Sequence, residues 1–296
     1  MVTDVKPPRW INFKTIFILL REWFDVPTPS KTDFHRWRRE LSDKIEKGEL
    51  TNLPLKTWWP KYSDGDFRFE LCIGILLVHQ VTWRQVTTCF RNVLAHLERN
   101  KMPFTPEGLL SIPVDELAGL IRASRYARQK AKRIRKFCDF LRQYQSLDAF
   151  FHELPANELD ELLLKSKSGF GKESRDTVLL YAVNSPVFIA DAYSRKLLTL
   201  LDVPDAANYA TCQKIFHDGI ERDFDADDLL DILNSYSRQE LDYVLINRPQ
   251  RQLVPKILLC QMYHAGIVEL GISKRWDEFL RACKDIQPQG EPKIKR

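Results

Sequence analysis

The sequence predicts an all-α fold, and three observations carry that prediction. Apolar residues recur with a period near 3.6 through most of the 296 positions. Only 11 residues are glycine, and alternating β-branched runs are few. The connections between periodic segments are short and rich in turn-forming residues. With 44% hydrophobic and 29% charged residues the composition is that of a globular chain, long enough for one large domain or two lobes.

Taken in order, the first helix is read over residues 12–24. Its apolar run is interrupted by Lys14 and followed by Arg21 and Glu22, which makes it an amphipathic helix rather than a signal peptide. Residues 25–31, with Pro27 and Pro29, read as a linker, and a second helix spans 32–48. A loop then leads through Trp58-Trp59-Pro60 to an almost wholly apolar stretch, 67–79. That stretch suits a buried helix and falls short of the roughly 20 apolar residues that span a bilayer. Helical patterns follow at 83–99, 113–123, 129–144, 147–153, 156–165, 172–183, 191–201, 207–222, 225–238 and 255–270, about a dozen helices in all. The organisation expected is an N-terminal helical extension (1–50), a helical core (51–286) and a disordered polar tail (287–296).

A net charge of +5 is compatible with a polyanionic partner without requiring one. The cysteines Cys72, Cys89, Cys138, Cys212, Cys260 and Cys283 are scattered and form no CxxC pair, which speaks against a disulfide framework or a zinc site. Isolated cysteines in apolar helices point to a reducing, intracellular setting: cytoplasm or nucleoid, or the nucleus of a eukaryotic cell.

The most informative stretch is 165–198. A helix ends near Lys165, Ser168-Gly169-Phe170-Gly171 turns the chain, and a new helix opens at Lys172 or Glu173. The glycines permit a reversal and a close approach of phosphate to backbone amides, and the exposed N–H groups of the new helix favour an anion. Lys172 adds charge, and Phe170 is expected to plug the core between the two helices. Such a device holds a DNA backbone without reading sequence. Downstream, Asp191 precedes a helix that opens with Tyr193, Arg195 and Lys196. By itself Asp191 is better explained as an N-cap than as a catalytic group.

Taken together, GFGKES, DTVLLYA and PVFIADAYSRKLL resemble the helix-hairpin-helix, loop and aspartate module of the endonuclease III-like DNA glycosylase superfamily, and most of all its 3-methyladenine DNA glycosylase III branch. The resemblance runs over residues 53–270 and is strongest over 169–198; Glu173 and Asp191 stand at the family's spacing of eighteen positions. It implies a two-lobed helical bundle with Asp191 as the catalytic carboxylate, and double-stranded DNA carrying damaged bases as the partner. Gly169, Gly171, Lys172, Glu173, Arg195 and Lys196 fall on its DNA-binding positions. Members that also cut the strand carry a lysine where this chain has Glu173, and Glu173 cannot form a Schiff base. The expected enzyme is therefore a monomeric, monofunctional glycosylase in base excision repair, flipping and hydrolysing an alkylated purine such as 3-methyladenine.

Trp58-Trp59-Pro60 is either a hydrophobic staple or, as the resemblance implies, the wall of a base pocket in which aromatic faces attract a cationic base. Trp83 falls on the family's next aromatic position, and Gln80 on that of the residue filling the gap in the duplex. His79 is read as a polar group satisfied at a helix end, with DNA contact as the alternative. The basic run from Arg122 to Lys136 is either a solvated face or a DNA contact. Many relatives bind an iron–sulfur cluster through four C-terminal cysteines; here only Cys283 lies in that region, so no cofactor and no metal are expected. His264 in the same region is read as structural. The competing readings are a bifunctional glycosylase/lyase, a non-catalytic damage sensor, and a helical scaffold unrelated to DNA.

Overall fold

The computed structural model describes residues 6–26, 34–47, 49 and 53–286. Most of the expected linker (27–31) and the tail (287–296) lie outside the described residues. Among the described residues there is no β-strand.

The first ten helices are α1 (Phe13–Phe24), α2 (Phe34–Lys47), α3 (Phe67–Val78), α4 (Trp83–Arg99), α5 (Pro106–Ser111), α6 (Val114–Leu120), α7 (Ala127–Leu141), α8 (Leu147–Phe151), α9 (Ala156–Lys165) and α10 (Lys172–Thr177). They are followed by α11 (Ala192–Leu200), α12 (Tyr209–Asp223), α13 (Ala226–Asn234), α14 (Arg238–Val244), α15 (Val254–Ser273) and α16 (Trp276–Ile286). This exceeds the dozen expected, because α5, α14 and α16 are not among the segments read from the sequence. Helix α5 is one short turn-and-a-half that periodicity cannot register, started by the Thr105 cap and Pro106. The segment read as one helix over 225–238 breaks after Asn234, because Ser237 and Glu240 form a capping box that starts α14 afresh.

The helices pack in two groups. In one, α3, α4, α6 and α7 associate with α2, α5, α9 and α10; in the other, α1, α11, α12, α13 and α16 surround α15 or one another. Helices α3 and α15 are apolar on all sides and buried along almost their whole length, as central helices must be. None of the described helices is long and apolar enough to cross a membrane. Residues 178–182 join the groups. They wind as a π-turn, with the Val183 amide reaching back to the Val178 carbonyl, and pack on both α3 and α15.

Helix α1 is embedded in the second group. Phe13 and Leu20 are fully buried, Phe13 meets Phe216 edge-on at 5.3 Å, and the Tyr263 hydroxyl donates to the Phe13 carbonyl at 3.0 Å. Gly219 of α12 makes this contact possible, because a Cβ there would fall 2.3 Å from the Phe13 ring.

Two features fix the segment that carries Asp191. Asn184, in the left-handed region at φ 57°, donates to the Val244 carbonyl and accepts from the Asn247 amide. Asn247 in turn donates to the Phe151 and Val183 carbonyls and accepts from Arg68. Beyond it the extended chain is gripped from all sides: Phe188 stacks on Phe216 at 4.0 Å, its amide donates to His217 Nε2, and its carbonyl accepts from Gln213. Every polar backbone group so satisfied removes a route by which this irregular segment could move.

Candidate active site

A cleft of about 720 Å³ opens between the two groups, and Asp191 lies in its wall. The aspartate caps α11: Oδ1 accepts the Ser194 amide at 2.6 Å, and the residue is 7% exposed. Capping occupies one oxygen and leaves Oδ2 directed at His264, whose Nε2 lies 4.0 Å away. The two readings of Asp191 are thus compatible, since the cap is what aims the second oxygen. Arg195 does not enter the cleft. Its guanidinium donates to the Ala190 carbonyl at 2.7 Å and so braces the turn from behind.

Trp58, Trp59 and Trp83 line the cleft together. Their rings meet edge to face, Trp58 and Trp59 each 5.1 Å from Trp83 and 5.6 Å from one another. A tight 3₁₀ turn at Leu55–Thr57 precedes the adjacent tryptophans, which share one cavity. Pro60 is buried but is not among the lining residues. The Trp58 indole N–H donates to Glu269 at 3.0 Å.

Glu269 is 1% exposed, and burial pushes its carboxyl up to about 7 even though the Trp58 bond pulls it down. The folded-state value lies above the ordinary 4.5, so this group's stabilising contribution is complete below about 4.5 and is lost as pH rises through about 7. Glu269→Gln keeps an acceptor for Trp58 and removes the titration. Thermal midpoints measured from pH 4.5 to 7 are expected to fall less steeply in the variant; equal slopes in both proteins would show that Glu269 ionises normally.

The tip of α3 supplies the cleft's rim. Lys130, from α7, donates to the Leu77 and His79 carbonyls at 2.7 and 3.0 Å and to Ser124, closing the helix end. The chain then passes through Gln80, exposed and left-handed at φ 62°, and enters α4 through the Thr82–Gln85 capping box. His79 points inward and bonds Ser174 at 3.1 Å, which ties this rim to α10. Burial, Lys130 and Arg133 lower its pKa, keeping it neutral. The basic run therefore divides. Lys130 is structural, and Arg135 donates to the Leu110 and Ile112 carbonyls, whereas Arg125 lies over the ring of Tyr126, 62% exposed at the N-cap of α7, and Arg128 pairs with Asp115 at 3.2 Å.

The hairpin joins α9 to α10. Gly169 has φ +92°, a conformation that side chains avoid, and Phe170 is buried against Phe137 at 5.1 Å. Gly171 is in ordinary extended conformation, so the reversal falls to Lys167 and Gly169 rather than to both glycines. Space around Gly171 is open. Lys172 is exposed with its ammonium 4.8 Å over the Tyr209 ring, and Lys196 sits likewise over Trp276; neither lines the cleft. Glu173 does line it. Burial, and then the Asp191 charge, push its carboxyl up to about 7 against the opposing pull of Arg195. Two acids thus face one cavity, and Glu173 holds its proton up to near neutrality.

Sequence reasoning missed Tyr181 and underrated His264. The Tyr181 hydroxyl lies 2.9 Å from His264 Nδ1 and donates to the Gln261 carbonyl at 3.0 Å. A polar residue inside the apolar α15 was the available signal for His264. Tyr181 had none, because its direction depends on the π-turn. Ile45 from α2 also reaches the cleft. Among the described residues no group of three or more His, Cys, Asp or Glu side chains converges on a point. Cys283 is buried, and burial pushes its thiol up to about 12.

Residues 73–222 match the HhH-GPD superfamily base excision DNA repair protein family. A protein of Methanocaldococcus jannaschii, provisionally assigned as a DNA repair glycosylase, is 28% identical over 194 residues, which are 63% of this chain and 81% of that protein. Among solved structures, the Helicobacter pylori 3-methyladenine DNA glycosylase MagIII bound to 1,N6-ethenoadenine is similar, with a TM-score of 0.56 and 26% identity, covering 80% of this chain and 98% of that one.

Proposed function

Because the chain belongs to the HhH-GPD superfamily of base excision DNA repair proteins, we propose that its cleft is the active site of a monofunctional DNA N-glycosylase acting on alkylated purines in duplex DNA. The observation that carries this reading is the pairing of Asp191 with a three-tryptophan wall in a cavity that no lysine lines among the described residues.

The chemistry follows from those groups. A flipped purine stacks on the aromatic wall, and a cationic base gains about 0.5–2 kcal/mol from the ring quadrupoles. As the C1′–N bond breaks, the base leaves with the bonding pair and the sugar becomes cationic. Asp191 stabilises that charge. Water attacks C1′, one of its protons passes to the carboxylate, and the abasic sugar keeps the other as a hydroxyl. Glu173 in its protonated form leaves a single negative charge in the cleft and offers no amine for a Schiff base. Gln80 fills the vacated place in the duplex, and the hairpin amides with Lys172 hold the backbone. Tyr126, exposed with Arg125 over its ring, is a further DNA contact. The similarity to a 3-methyladenine glycosylase supports an alkylated purine as substrate.

A duplex end-labelled and carrying one alkylated purine tests the reading. The protein is expected to leave an abasic strand that breaks only in hot alkali, and borohydride is expected to trap no protein–DNA adduct. A covalent adduct, or strand cleavage without alkali, would overturn the monofunctional assignment.

A further inference from the structure

We propose that His264 is a second catalytic residue, which holds the attacking water together with Asp191. This rests on the hydrolytic reading above and adds to it a group that no motif identified.

The hydrogen bonds around His264 fix its tautomer. The Tyr181 hydroxyl has one proton, and it is donated to the Gln261 carbonyl. Tyr181 therefore meets His264 Nδ1 as an acceptor at 2.9 Å, and Nδ1 must carry the hydrogen. Burial lowers the His264 pKa despite the nearby Asp191 charge, so the ring is neutral and Nε2 bears a lone pair.

That lone pair faces Asp191 Oδ2 at 4.0 Å. The separation is too long for a hydrogen bond, and neither atom has a proton to give the other. Two acceptors set this far apart on a cavity wall suit one donor of two hydrogens. A water placed about 2.8 Å from each would subtend about 90° at its oxygen, near the angle between its own O–H bonds. Its lone pairs would then point away from both residues and into the cleft that holds the sugar. In the hydrolytic step the proton donated to Oδ2 is the one transferred. The proton donated to His264 remains on the new C1′ hydroxyl, so His264 orients the nucleophile and takes no proton.

The ring is held for this task. Trp58 meets it perpendicularly at 5.5 Å and 89°, Tyr181 at 5.8 Å, and His264 is 5% exposed. A histidine wanted only for packing would not need its outer nitrogen turned to a carboxylate at a distance that excludes direct bonding.

Two substitutions separate the roles of the two nitrogens. Asparagine retains a donor near Nδ1 for Tyr181 and loses the outer acceptor; glutamine puts an oxygen near the Nε2 position. Single-turnover release of an alkylated purine by His264→Asn is expected to be about 100-fold slower than wild type, with duplex affinity changed by less than about twofold. His264→Gln is expected to recover to within about fivefold of wild type. Wild-type rates in His264→Asn, or equal losses in both variants, would overturn the proposal while leaving the glycosylase reading intact. A wild-type protein that releases no alkylated purine would instead overturn that reading, and this inference with it. A crystal structure of the unaltered chain gives an answer independent of variant folding. A water within hydrogen-bond distance of both Asp191 Oδ2 and His264 Nε2 is expected, and its absence between two ordered side chains would also overturn the proposal.

Discussion

Asp191→Asn is expected to slow base release by about 10³-fold or more while leaving the fold and duplex binding intact. The separation of effects is specific to this site. Asparagine caps helices about as well as aspartate, and its Oδ1 can accept the Ser194 amide as the carboxylate does. The lost element is the negative charge on the second oxygen, the one that faces His264 and the cleft. Thermal unfolding checks the first half of the claim, with a midpoint within about 2 °C of wild type, and single-turnover kinetics the second. A variant that kept wild-type rates would reduce Asp191 to a cap. Asp191→Ala is the less informative change, because it also removes the cap and costs about 1 kcal/mol for that reason alone.

The second large effect concerns stability. Phe13 is 0% exposed, packs on Phe216 and sits against Gly219 where no larger residue would allow it. Phe13→Ala leaves a cavity that α1 cannot close, because the Tyr263 bond to the Phe13 carbonyl fixes the backbone. The expected cost is about 3–5 kcal/mol, which for a chain of this size lowers the midpoint by on the order of 10 °C. Removing α1 altogether would expose Phe216, Phe224 and Tyr263 of the second group's centre, and such a truncation is expected to be insoluble. A truncated chain that folds and melts cooperatively at the wild-type temperature would show that α1 merely rests on the core.

How much of this was legible in the sequence depended on range. Most helices of ten residues or more announced themselves through periodicity, but α16, with 11 residues, went unread. Short helices were read unevenly: α6 and α8 were found, whereas α5 and α14 were not. The hairpin and Asp191 were legible because their spacing lies within one contiguous stretch. Trp58 and Trp83 were legible as separate aromatics, but their edge-to-face contact depends on how the loop before α3 folds back. His264 illustrates the limit. In the sequence it is one polar residue in an apolar helix, for which a satisfied core histidine is the ordinary explanation. Only the fold sets it between Tyr181 and Asp191, from segments more than seventy positions away. Lys130 erred the other way: a charge in a basic run that the structure turns inward to close α3.

The measurement that bears most directly on the central claim is mass spectrometry of the bases freed from methylated duplex DNA. The purified chain is expected to release 3-methyladenine or another alkylated purine, to leave normal bases in place and to leave the strand uncut. An intact duplex carrying all its alkylated purines, recovered from a protein that binds it, would show that the cleft is not a glycosylase site for alkylated purines.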